Sequence, residues 1–137
     1  MSAGWLDDDG LVTMPSGVTL RGRRIGATVS PADFALVLTG GPLPAWPHRR
    51  VDWPDFWIPR NRADALAALH EAYRRARDGE RVEVMCLGGR GRTGTALAAI
   101  AILDGVPVGD AVGWIREHYN RHAVETPLQR LWLRTVR

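Results

Sequence analysis

Val82-Glu83-Val84-Met85, followed by Cys86-Leu87-Gly88-Gly89-Arg90-Gly91-Arg92-Thr93-Gly94, is the stretch on which the fold of this chain turns. The first four residues read as a strand, Gly88 to Gly91 as a loop, and Thr93 to Leu103, apolar almost all round, as a helix buried in a core. A glycine-rich loop entering a helix lets successive backbone N–H groups point inward and form an anion nest. Such a nest binds phosphate and favours the thiolate form of a cysteine at its edge, here Cys86. Arg92, six positions after Cys86, offers a planar fork for two phosphate oxygens.

The Cys–Arg spacing is weak on its own. All 18 basic residues counted as Lys or Arg are Arg, so an Arg stands at any chosen offset about one time in eight in these 137 residues. The strand, the glycines and the following helix add to it. Gly89-x-Gly91-x-x-Gly94 also fits a dinucleotide-binding fingerprint, with Asp110 about where an acidic ribose ligand is sought. That reading ranks lower, because the strand needed at Val106-Pro107-Val108 is broken by proline and only 27 residues follow Asp110. A nucleoside-triphosphate P-loop fails for want of a Lys.

Outward from this unit, Leu66, Leu69, Tyr73 and Ala76 fall at helical spacing, which predicts an amphipathic helix from about Arg62 to Arg77, ended by Asp78-Gly79. Short apolar runs on either side of Pro15-Ser16-Gly17 predict a β-hairpin within residues 10–25. Phe34 to Leu38 reads as a buried strand, a short helix being the alternative. Five prolines and three tryptophans between residues 40 and 60 predict loop, with one extended piece near Val51-Asp52-Trp53. Two helices follow, near Gly109–Asn120 and Pro127–Val136, the second capped by Thr126 with Gln129 three residues later. There is no internal repeat and no linker, so the expectation is one α/β domain over residues 1–137, a central mixed β-sheet flanked by helices.

Composition sets the outer limits. The apolar and charged fractions, 45% and 24%, are those of a globular domain, and the longest apolar stretch, Ala96 to Leu103, falls far short of a membrane span. The start Met-Ser-Ala-Gly-Trp-Leu-Asp-Asp-Asp is acidic where a signal peptide is basic, so a cytoplasmic protein without membrane association is expected. A net charge of +3 with a pI near 10.0 reflects the arginines, which are spread along the chain; nucleic acid is not an expected partner. The single Cys excludes an internal disulfide and a cysteine-rich zinc site. His48, His70, His118 and His122 form no metal-ligand spacing.

Transfer of a phosphoryl group from an ester needs a proton for the leaving oxygen. Upstream lies Val51-Asp52-Trp53-Pro54-Asp55-Phe56-Trp57-Ile58-Pro59, and here the chain resembles the protein tyrosine phosphatase superfamily. Cys86, Gly89, Arg92 and Thr93 match that family's phosphate-loop signature; Trp53-Pro54-Asp55-Phe56, closed by Pro59, resembles its mobile acid loop, 31 residues before Cys86. Ala123 to Gln129 resembles the family's glutamine-bearing segment, and the first 50 residues carry no recognised motif. The length is that of the compact dual-specificity type.

The resemblance implies a site. Cys86 is the nucleophile that forms a phosphocysteine, and Arg92 with the backbone of Leu87, Gly88, Gly89, Arg90 and Gly91 binds the phosphate. Asp55 protonates the leaving group and then serves as base for water, the Thr93 hydroxyl stabilises the departing thiolate, and Gln129 is a candidate for positioning the water. No metal and no organic cofactor is implied. The substrate is a phosphorylated protein, on phosphotyrosine or with dual specificity, or a small phosphoester. The same residues leave bland roles open: Asp52 competes with Asp55 as the acid, Gln129 serves equally as a capping-box partner of Thr126, and Arg90 as a solvated loop residue. Two positions depart from the family, Met85 where His is usual and Trp57 where Gly is common. Met85 motivates the alternative of a catalytically weakened phosphate-binding module.

Overall fold

A computed structural model describes residues 4–136. Five strands form one sheet: β1 (Leu11–Thr13), β2 (Thr19–Arg24), β3 (Phe34–Val37), β4 (His48–Arg50) and β5 (Val82–Cys86). Four α-helices follow or interrupt them: α1 (Arg62–Arg77), α2 (Gly91–Leu103), α3 (Ala111–His118) and α4 (Pro127–Trp132). The sheet order is β1-β2-β5-β3-β4, with β1 antiparallel to β2 and every other neighbouring pair parallel. The chain is thus an α/β domain on a mixed sheet. The hairpin at residues 11–24 and helix α1 form where hydrophobic spacing and turn residues place them.

Period-two alternation assigns the two faces of the central strands. Val82, Val84 and Cys86 of β5, with Phe34 and Leu36 of β3, enter the larger core cluster, which also takes the buried faces of all four α-helices. Helix α2 is buried from Gly91 to Ala101 and fills the centre of that core. Each of its large apolar side chains, such as Leu97 and Ile100, contributes about 1.5–3 kcal/mol by leaving water. Helix α1 is capped by Asn61, whose side chain accepts the Asp64 N–H, and presents Ala65, Ala68, Leu69, Ala72 and Ala76 to the core.

The opposite face carries a smaller cluster of Ala35, Val37 and Met85, against which Ile25 and Trp46 pack. Beside it lies an ionic group. Glu83 is fully buried and accepts from Arg21 Nη2, from Nε and Nη2 of Arg23 at 2.7 and 3.1 Å, and from Trp46 Nε1 at 2.7 Å. Arg21 also donates to Ser30 and lies 4.6 Å from the centroid of the Trp5 ring.

Several boundaries differ from the expectation, among them α3, which is Ala111–His118 within the expected Gly109–Asn120 and follows a 3₁₀ turn at Val108–Asp110. The extended piece in the proline-rich stretch is β4 at His48–Arg50, before Val51-Asp52-Trp53, although the Val51 N–H still bonds to the Val37 carbonyl at 2.9 Å. Helix α2 starts at Gly91, two residues before Thr93. The C-terminal helix ends at Trp132 and tightens into a 3₁₀ turn over Leu133–Thr135, where Thr135 Oγ1 donates back to the Trp132 carbonyl.

Candidate active site

Strand β5 delivers Cys86 to the carboxyl end of the parallel strands, and α2 starts five residues later. Cys86 is buried, and its Sγ accepts the Gly89 N–H at 3.2 Å. Gly89 sits in the left-handed region with φ +71°, and a Cβ there would lie 2.7 Å from the Arg24 backbone nitrogen. No other residue makes that turn without strain, so a loop glycine is required here by both conformation and space. Leu87, Gly88 and Arg90 are exposed around the rim, while Gly91 is buried against the Glu125 carboxylate.

Arg92 is buried, and its Nη1 donates at 2.9 Å to two carbonyls, Leu38 at the end of β3 and Trp53 of the acid loop. Its Nε has no hydrogen bond, but Asp55 Oδ1 lies 3.5 Å away, within ion-pair reach. The guanidinium is therefore held from one nitrogen while Nε retains an open donor. A cleft of about 520 Å³, lined by Leu38, Thr39, Arg50, Trp53 and Pro54, opens beside it. The Thr93 hydroxyl is buried with no hydrogen-bond partner in the structure, a free polar group in the first turn of α2.

The loop that carries Asp55 is fixed at several points. Trp53 is buried, packs on Trp132 with ring centroids 5.3 Å apart, and donates Nε1 to the Trp57 carbonyl at 2.8 Å. Asp55 is exposed and its Oδ1 accepts the Phe56 N–H at 3.0 Å. Phe56 has φ +58°, a conformation uncommon for a bulky side chain, and it directly follows Asp55. Of the two competing aspartates, Asp55 faces Arg92, whereas Asp52 pairs with Arg60 at 3.3 Å on the surface.

Gln129 is fully buried, and both ends of its amide are engaged. Its Oε1 accepts the N–H groups of Glu125 and Thr126, completing the capping box of α4. Its Nε2 donates to the Trp57 carbonyl at 3.2 Å, which joins the C-terminal segment to the acid loop. Met85 points to the smaller cluster on the far face of the sheet, away from Cys86.

Tyr119, which sequence reasoning did not single out, donates its hydroxyl to the Gly89 carbonyl at 2.5 Å. Burial, and then the charge of Cys86, push that hydroxyl far above the ordinary tyrosine value, so it remains a donor. The one sequence signal was Gly22 in the middle of β2, since an isolated glycine in a strand marks a close approach. A Cβ at Gly22 would lie 2.5 Å from the Tyr119 ring. Among the described residues no group of three or more His, Cys, Asp or Glu is placed to hold a metal ion. Among them, too, no helix is long and apolar enough to cross a membrane.

A Cys–Arg loop at the carboxyl end of the parallel strands of a mixed sheet, faced by an aspartate on a tryptophan-anchored loop, is the architecture of one phosphatase class. The family model for protein-tyrosine phosphatase matches residues 44–116, which include both loops, and the chain belongs to that family. Among solved structures, Tk-PTP in its active form is 27% identical with a TM-score of 0.68, covering 77% of this chain and 78% of that one. Kinase associated phosphatase with its catalytic cysteine replaced by serine is 15% identical with a TM-score of 0.63, covering 74% and 66%. PTPMT1 in complex with PI(5)P is 19% identical with a TM-score of 0.61, covering 77% and 76%. These last two show the fold alone. Two uncharacterized proteins of Methanocaldococcus jannaschii are each 48% identical, over 52 and 48 residues. Those matches take in 38% and 35% of this chain, and only 34% and 29% of the relatives' own lengths.

Proposed function

We propose that this chain hydrolyses phosphate monoesters of phosphoproteins, on phosphotyrosine or with dual specificity, through a phosphocysteine on Cys86. The observation that carries the reading is the Arg92 guanidinium, which touches the acid loop at Trp53 and Asp55 from its place in the phosphate loop. On this reading nucleophile, clamp and acid address one phosphorus atom.

In the first step the Cys86 Sγ attacks phosphorus, an S–P bond forms, and the ester P–O bond breaks. Asp55 supplies the proton that the leaving oxygen takes. The free Nε of Arg92 and the backbone N–H groups of residues 87–92 carry the equatorial charge. In the second step water attacks phosphorus, Asp55 takes its proton, and the S–P bond breaks to release phosphate. The Thr93 hydroxyl, with no other partner, stabilises the thiolate as it departs.

The test is turnover of para-nitrophenyl phosphate, then of phosphotyrosine, phosphoserine and phosphothreonine peptides, with an inositol phosphate in parallel. Hydrolysis of the aryl phosphate and phosphotyrosine supports the proposal. Binding of phosphate without turnover favours the weakened binding module, and exclusive action on the inositol ester overturns the phosphoprotein assignment.

A further inference from the structure

The residue before Cys86 offers the phosphate loop no hydrogen bond, since Met85 is apolar and turned to the far face. The loop nevertheless has a polar support from elsewhere in the chain. Tyr119, just after α3, donates its hydroxyl to the Gly89 carbonyl, and the Gly89 N–H in turn donates to Cys86 Sγ. The hydroxyl cannot drift, because its ring is pressed onto Gly22 of β2 with no room for even a methyl group.

The peptide joining Gly89 to Arg90 is planar and trans, so its carbonyl and its N–H point in opposite directions. A carbonyl held by Tyr119 sends the Arg90 N–H to the opposite side of that peptide. A hydrogen bond to that carbonyl also polarises the same peptide and strengthens its N–H as a donor. Glycine at position 89 has the freedom to rotate this peptide away, so the bond to Tyr119 is what selects its direction.

We propose that Tyr119 is a positioning residue for catalysis: its hydroxyl fixes the Gly89–Arg90 peptide so that the Arg90 N–H meets the phosphate and the charge on Cys86. This rests on the phosphatase reading of the loop. The hydrogen bond of Tyr119 goes to the Gly89 carbonyl, and the residue acts through the peptide it holds.

Tyr119→Phe in the full chain removes the hydroxyl and keeps the ring on Gly22. The expected result is a fall of about tenfold in kcat/KM on an aryl phosphate, with a similar loss of affinity for inorganic phosphate. The pH profile for iodoacetamide alkylation of Cys86 is expected to move to higher pH. Tyr73→Phe is the control, since it deletes a comparable hydroxyl bond, 2.6 Å to Asp104, away from the loop. It should leave phosphate affinity and the alkylation profile at wild-type values. The proposal is overturned if Tyr119→Phe keeps both wild-type values, or if Tyr73→Phe shifts them equally. Should the wild type hydrolyse no ester at all, the phosphatase reading fails, while phosphate affinity and alkylation still decide the role of Tyr119.

Discussion

Asp55 and Arg92 face each other across the site, Oδ1 to Nε at 3.5 Å, while Arg92 Nη1 holds the Trp53 carbonyl two residues before that aspartate. One guanidinium thus bridges the loop after Cys86 and the loop that carries Asp55; on the proposed mechanism, the group that binds phosphate also orients the group that delivers a proton. Chemistry on either loop is expected to register on both.

Asp55→Asn keeps the shape and removes the proton. It is expected to lower kcat by about 10²–10⁴ on alkyl phosphates and by less on para-nitrophenyl phosphate, whose leaving group needs little protonation. Comparing the two substrates checks this. Equal losses on both would remove Asp55 from the acid role, and a larger loss in Asp52→Asn would transfer that role to Asp52.

Arg92→Lys retains charge but not the fork, nor the paired grip on the Leu38 and Trp53 carbonyls. A fall in kcat/KM of about 10²–10³ is expected, with weaker inhibition by inorganic phosphate. Steady-state kinetics with phosphate as inhibitor reads both quantities.

Gln129 ties the acid loop to α4 through the Trp57 carbonyl. Gln129→Leu is expected to cost about 1–3 kcal/mol of stability, because it strands the N–H groups of Glu125 and Thr126. It should lower kcat while leaving the inhibition constant for phosphate unchanged, since the phosphate loop itself is intact. A rise in that constant equal to the loss in kcat would contradict the separation.

Glu83 makes a prediction about acid. Desolvation pushes its carboxyl up, but the hydrogen bonds from Arg23 and Arg21 outweigh that and hold it below the ordinary value of 4.5. Because the folded state binds its proton more weakly than the unfolded chain, this stabilisation is complete above pH 4.5 and is lost as pH falls through the lower folded value. Glu83→Gln should destabilise by about 3–5 kcal/mol near neutrality, leaving the buried Arg21 and the half-buried Arg23 without their counter-charge. Thermal midpoints across this acid range should fall more steeply for the wild type than for the variant; parallel curves would be the contrary result.

What was legible in the sequence had a local cause. The strand–glycine–helix unit around Cys86, the period of α1 and the Thr126–Gln129 capping box each lie within a few residues and follow from local geometry. The bonds that assemble the site join residues far apart. The Leu38 carbonyl on Arg92 spans 54 positions and Tyr119 on Gly89 spans 30, and neither leaves a period or a motif. Nothing local in the Arg21-Gly22-Arg23 run marks Arg21 as buried; it is buried because Glu83 on the neighbouring strand compensates its charge. The extended piece expected near Val51-Asp52-Trp53 lies three residues earlier for a related reason: pairing with β3, which no proline pattern encodes, selects His48–Arg50.

The central claim is that Cys86 carries the phosphoryl group. The most direct measurement is mass spectrometry of the chain quenched with acid during turnover of an aryl phosphate, with Cys86→Ser alongside. Phosphate bound to the peptide containing Cys86 in the wild type, and no turnover in Cys86→Ser, is the predicted result. Undiminished hydrolysis by Cys86→Ser, or phosphate recovered on another residue, would contradict it.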